Sequence, residues 1–199
     1  MARDATLTRA RLIRAGERRF ARDGVAGARL ADIVRDARQA NDSAVGYHFG
    51  SRQGLLRAIV ERHVAAMERR RVVPPEGADL RDVVAAIVEP TAALLTTEEG
   101  RDFLRIMEQV SDWSGLGAGH PNAVLADTVL AAQLRRLDTL LVARVGPLLA
   151  RERAALLVTF LTGALAGRAR SREAGTRQRL GHEKFVAHLV DVLAAALAA

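Results

Sequence analysis

Cysteine is absent from this chain, which excludes disulfides, thiolate metal sites and a cysteine nucleophile. Lysine occurs once, at Lys184, so arginine carries the basic charge; this fits GC-rich coding and by itself says nothing about phosphate. Aromatic residues make up only 4% and apolar alternation is missing, so no strand pattern emerges. No stretch approaches the roughly 18–20 apolar residues of a membrane span. The opening Met1-Ala-Arg-Asp-Ala-Thr-Leu-Thr has neither an apolar region nor a small-residue cleavage site, and the expected compartment is the cytoplasm. His48, His63, His120, His182 and His188 show no metal-ligand spacing, and no phosphate-cradling glycine motif or nucleophile elbow occurs. Neither a metal, a cofactor nor an enzymatic centre is expected.

What is present is asymmetric charge. The net charge is +7, yet residues 1–71 hold sixteen arginines against eight carboxylates, while the remainder holds fourteen basic and fifteen acidic groups. A basic N-terminal module attached to a near-neutral body suits contact with a polyanion; a merely solubilising basic surface gives the same count.

Apolar residues recur at helical spacing throughout the 199 residues, enough for one small domain fused to a larger one. A first helix is expected over 8–22, closed by Gly24, with Leu12, Ala15, Gly16 and Phe20 inward. Short second and third helices follow over 30–36 and 42–48, joined by a turn over 38–41. Ser51 caps a long fourth helix whose buried side runs from Leu55 to Met67. The run 69–79, with Pro74, Pro75 and Gly77, breaks it. Further helices are expected over 79–95, 98–112, 122–145, 148–172 and 182–198, the glycine-rich 114–121 being a loop. The fold class is all-α.

Three short helices with a tight turn before the third make a DNA-reading module when the third offers small polar residues. Here it offers Asn41, Asp42, Ser43, Ala44, Gly46, Tyr47 and His48. Asn and Ser can bond base edges, Ala can meet a thymine methyl, and Asp can accept from a cytosine amino group. Tyr47, His48 and Arg52 can hold phosphates beside the amides following Ser51.

Ile33-x13-Tyr47-His48-Phe49-Gly50-Ser51-Arg52-x2-Leu55-Leu56, with Phe20, Gly24 and Asp32 at matching places, resembles the signature of the TetR (tetracycline-repressor) family over about residues 7–60. Arg29 stands where that family commonly has a capping Ser or Thr; Arg38 and Gln39 stand where a turn glycine is usual; Gly46 replaces a larger side chain. The resemblance implies an N-terminal helix-turn-helix DNA-binding domain (1–52) and a larger helical ligand-binding and dimerisation domain (53–199). It also implies a homodimer on a palindromic double-stranded operator and a small-molecule effector. The expected function is a ligand-responsive repressor.

The family's dimer interface lies on the last two long helices. In this chain the small-residue run Thr162-Gly-Ala-Leu-Ala-Gly167 and an apolar stripe of Phe185, Leu189, Val192, Leu193 and Ala196 support it, with Leu161, Ala164 and Leu165 beside them. Intramolecular packing competes for the same stripe, and its polar face lacks the basic cluster of a membrane-surface helix. A pocket implied among the fourth to eighth helices has Met67, Phe103, Met107, Gln109, Trp113, Gln133 and Phe160 as candidate contacts, though Met and Phe at helical spacing also suit plain core. Two other readings stay open: a small all-α enzyme or carrier, and an adaptor using its apolar C-terminal helices.

Overall fold

An arginine-studded helix needs an apolar seam to stay packed, and Leu12, Ala15, Gly16 and Phe20 supply one at three- and four-residue spacing. In the computed structural model, which describes residues 2–41, 43–110 and 123–199, this segment is α1 (Ala2–Asp23). It starts upstream of the expected residue 8 because neither proline nor glycine interrupts residues 2–8. It stops at Gly24, whose φ of 85° is the left-handed conformation that closes helices.

The short helices α2 (Leu30–Asp36) and α3 (Ala44–Phe49) pack on α1 and on α4 (Arg52–Glu68). Ser51 accepts from the Gly54 amide at 3.1 Å, the expected cap. Gly54 is required at this corner: a Cβ there would lie 1.9 Å from the Phe49 carbonyl oxygen. Leu12, Phe20, Ile33, Val45, Leu55 and Ile59 form the centre of this head. Burying a side chain of this size contributes about 1.5–3 kcal/mol.

The body consists of α5 (Leu80–Ala92), α6 (Glu98–Gln109), α7 (Val129–Val145), α8 (Pro147–Glu173) and α9 (His182–Ala198). The described residues contain no strand, in keeping with an all-α class. Each helix start has its own cause. Asp79 and Asp82 form a reciprocal capping box, Thr97 and Thr128 cap α6 and α7, and Pro147 opens α8 where its missing N–H costs nothing. The expected helix over 79–95 changes character: α5 ends at Ala92 and a 3₁₀ turn (Ala93–Thr96) follows. The expected α7 start at 122 gives way to a 3₁₀ turn (Ala123–Leu125), with the helix proper beginning at Val129.

α6 separates two cores. Its Phe103 and Ile106 complete the head core, together with α4 as far as Met67. Its Leu104 turns the other way, joining Val84, Val88, Leu137, Leu157, Leu165 and Leu193 in the body core. Head and body thus share a wall rather than a linker. No helix among the described residues is long and apolar enough to cross a membrane.

Candidate nucleic-acid interface and internal cavity

The turn between α2 and α3 is built by backbone bonds. Gln39 N–H donates to Val34 O at 3.1 Å and Arg38 N–H to Arg35 O at 2.9 Å, the paired bonds of a Schellman motif. That motif places its first residue beyond the helix in the left-handed region, and Arg38 has φ 56°. An arginine therefore occupies a site shaped for glycine, its side chain exposed. Asn41 Oδ1 then accepts from both Ser43 N (3.0 Å) and Ser43 Oγ (2.6 Å), and Asn41 O accepts from Ala44 N (3.0 Å). This side-chain turn starts α3 and gives Asn41 a folding role beside any recognition role.

α3 exposes Ser43, Gly46 and Tyr47 along one side, with His48 half-buried at its end. Tyr47 is 84% exposed, and its ring meets that of His48 edge-on at 5.0 Å. A Cβ at Gly46 would meet nothing within 4 Å, so the outer surface there is open. Arg29, exposed at the start of α2, makes no side-chain cap. Gln39 is half-buried, its amide donating to Ala37 O at 3.1 Å and Arg38 O at 3.3 Å.

Two expected contact residues sit otherwise. Ala44 is only 7% exposed and packs in the head core, because the first turn of α3 must bury its apolar side. Arg52 turns back into the head, donating to Val25 O (2.7 Å) and Ala28 O (2.5 Å). Its guanidinium satisfies carbonyls of the α1–α2 connection rather than standing free. Asp42 lies outside the described residues.

Between α4, α5, α6, α7 and α8 lies a cavity of about 130 Å³. Val60, Val64, Leu125, Leu134, Leu161 and Leu165 make its walls almost wholly apolar; Arg71, Thr91 and Thr162 are the polar exceptions. Of the expected ligand contacts, Met67, Phe103 and Met107 line it. Gln133 is buried behind the lining. Gln109 is exposed and ties α6 to the head, accepting from Val25 N at 2.8 Å and donating to Phe20 O at 3.4 Å. Phe160 faces outward on α8, 56% exposed. Trp113 lies outside the described residues.

Arg71 was not singled out by sequence reasoning. Arg69, Arg70 and Arg71 are consecutive and identical in type, yet only the third is buried. Nearby, α5 contains Pro90. Lacking an N–H, it leaves the Ala86 carbonyl without its helical donor. Gln133 Nε2 donates to that oxygen at 3.1 Å and Arg71 Nη1 approaches it at 3.5 Å. Gln133 Oε1 in turn accepts from Arg71 at 3.0 Å. Burial holds the Arg71 pKa below the usual arginine value, Glu68 opposing that shift.

Head and cavity are joined by a second buried cluster. Glu17 of α1, 1% exposed, accepts from Arg62 and is hydrogen-bonded to His63 Nε2, both on α4. The His63 ring stacks on the cavity-lining Phe103 with centroids 4.1 Å apart.

No family model and no curated protein matches the chain. Solved structures match over nearly its whole length. A Rhodococcus sp. protein assigned as a TetR-family transcriptional regulator superposes with TM-score 0.59 at 18% identity, covering 96% of this chain and 98% of its own. NalD, the secondary repressor of the MexAB-OprM multidrug efflux pump in Pseudomonas aeruginosa, gives 0.59 at 19%, covering 98% and 97%. Salmonella enterica GusR gives 0.52 at 20%, covering 96% of both chains.

The chain has the TetR-family fold.

On this TetR-type body the last two helices present a different apolar set from the expected one. Leu161, Leu165, Leu189 and Leu193 are buried within the chain, and Ala164 and Phe185 are half-buried against the same core. The Phe185 ring lies under the Arg168 guanidinium at 4.4 Å. Outward stand Leu149, Leu156 and Phe160 of α8 with Val192 and Ala196 of α9. The residues of the expected stripe that remain available to a partner are therefore Val192 and Ala196. The buried members are consumed by packing α9 onto α5 and α8.

Proposed function

We propose that this chain is a homodimeric, cytoplasmic transcriptional regulator, a repressor released from a palindromic operator by a small molecule, and not an enzyme. The observation that carries the reading is the reading head inside a TetR-type fold: α3 exposes Ser43, Gly46 and Tyr47 after a turn bearing Arg38, with Arg29 at the start of α2. Small side chains admit the helix to a major groove, while the arginines and Tyr47 suit flanking phosphates. Residues 1–52 then serve DNA and 53–199 serve ligand and partner, a division of labour laid over a shared core. Exposed Leu156, Phe160 and Val192 support a second copy as the occupant of the α8–α9 face.

Release works through α4. It starts behind the reading helix at Ser51 and reaches the cavity at Met67, about 25 Å away at 1.5 Å per residue. A ligand that binds better with the Met67 end displaced pivots the heads. Two heads spaced for one helical turn of about 34–36 Å then lose register. Operator DNA must weaken ligand binding by the same factor.

The test is fluorescence anisotropy with DNA upstream of the chain's own gene, repeated across salt concentrations. About six neutralised phosphates per dimer give a slope of log K on log salt near −5. Salt-insensitive or absent binding to every fragment rejects this reading in favour of a carrier or an adaptor.

A further inference from the structure

We propose that the cavity takes a small apolar carboxylic acid as its anion, the carboxylate meeting Arg71 and the hydrocarbon lying among Val64, Leu125, Leu134 and Leu161. This rests on the effector-cavity reading above and names the ligand's class.

The argument starts from the donors of Arg71. A guanidinium carries five N–H groups and no acceptor. Nη1 reaches Gln133 Oε1 at 3.0 Å, Ile87 O at 3.3 Å and Ala86 O at 3.5 Å; Nη2 reaches Thr91 Oγ1 at 3.0 Å and Met67 Sδ at 3.9 Å. All five acceptors are neutral. Nε is buried without a hydrogen-bond partner, although the residue is only 7% exposed and lines the cavity. The facing carboxylate, Glu68, stands 3.7 Å from Nε, beyond hydrogen-bond reach. Its oxygens are already engaged by the amides that open α7, Val129 N and Leu130 N. The cation is thus enclosed, partly neutralised at a distance, and one donor short of satisfaction. A buried charge in that condition is stabilised by an anion with oxygens to spare.

The rest of the cavity assigns the rest of the ligand. The Thr91 hydroxyl donates to Ile87 O at 2.9 Å and that of Thr162 to Val158 O at 2.8 Å, so neither hydrogen is left to orient a polar head. Other lining side chains are aliphatic, aromatic or thioether. An apolar cavity of comparable size, about 150 Å³, holds one benzene ring. One ring or a short branched chain, with a single carboxylate, matches both volume and chemistry.

Calorimetry on the free full-length protein tests this with benzoate, 4-methylbenzoate and cyclohexanecarboxylate against benzamide and benzyl alcohol. The carboxylates are expected to bind saturably and at least tenfold more tightly than the neutral analogues. Arg71→Met should reduce them to the level of benzamide, and Leu134→Phe, which fills the cavity, should abolish binding while leaving circular dichroism unchanged. Should Arg71→Met fail to fold, the acid-to-amide ratio in the unaltered protein and the Leu134→Phe result still decide. Equal affinity for benzoate and benzamide, no saturable binding at millimolar concentration, or unchanged binding by Leu134→Phe overturns the proposal. Anisotropy with DNA, measured separately, keeps the two readings apart. Acid binding without DNA binding sinks the regulator alone; DNA binding without acid preference sinks this inference alone.

Discussion

Arg38 holds a left-handed conformation that costs a non-glycine L-residue about 1–2 kcal/mol. Nothing buries its side chain to offset that cost. Arg38→Gly is therefore expected to raise stability by about 1 kcal/mol in urea melts and also to weaken DNA binding at low salt. An unchanged or lowered melt would mean that the turn does not need its present backbone. Asp102 behaves oppositely to most carboxylates. Burial above all, then the nearby charge of Glu173, pushes its pKa up to about 6. The folded state thus binds the proton more tightly than the unfolded chain. Stability from this group is present below about pH 4 and is lost as pH rises through about 6. Asp102→Asn should be stabilising by about 1–3 kcal/mol at pH 7.5 and nearly neutral at pH 4. Equal effects at both pH values would show that Asp102 titrates normally.

Among the elements, α6 couples most to its surroundings, since it lines the cavity, walls off the body core and touches α1. The Glu17–His63 contact, with His63 stacked on Phe103, is the buried polar join between head and cavity wall. Removing one partner strands the other in an apolar setting. Glu17→Gln is expected to cost about 1–3 kcal/mol, and His63→Gln a similar amount. In a double-mutant cycle the two should couple by more than about 0.5 kcal/mol. Strict additivity in urea denaturation would remove this contact from any account of switching. Gln109 offers a parallel link at the α1–α2 connection, where it replaces backbone partners that a loop would otherwise seek from water.

At the scale of the whole molecule, the exposed apolar strip on α8 and α9 is where the proposed dimer can be tested. Phe160 is its largest member, and an aromatic ring left in water is a natural anchor for a partner. Phe160→Glu should convert a dimer into a monomer in sedimentation analysis with helicity intact. Operator binding should fall at least a hundredfold, because one head alone keeps half of the contacts. A dimer that survives this substitution places the interface elsewhere. The basic excess over residues 1–71 acts at the same scale, yet several of those arginines are internally paired. Arg19 binds Asp36, Arg62 binds Glu17 and Arg52 caps carbonyls, so fewer guanidinium groups are free for direct contacts than the sixteen arginines counted.

Helix class, most helix boundaries and the head were legible in the sequence because their causes are local. Gly24, Ser51, Asp79 and Pro147 act through the backbone within one turn, and the spacing of Leu12, Phe20, Ile33 and Leu55 marks the buried side without knowledge of the partner. Only the tertiary structure decided which member of a chemically uniform set turned inward. Arg71 differs from Arg69 and Arg70 because Gln133 and Thr91, on two other helices, accept from its guanidinium. Leu161 and Phe160 are neighbours in one apolar stretch, yet α6 and α7 enclose the cavity face of α8 that holds Leu161, while Phe160 stands outward beside α9. Arg52 and Ala44 carry the residue types of a contact surface, but the head spends them on its own carbonyls and core. Periodicity specifies that a face is buried; which neighbour buries it, and what polar group is caught between them, follows from contacts far apart in the chain.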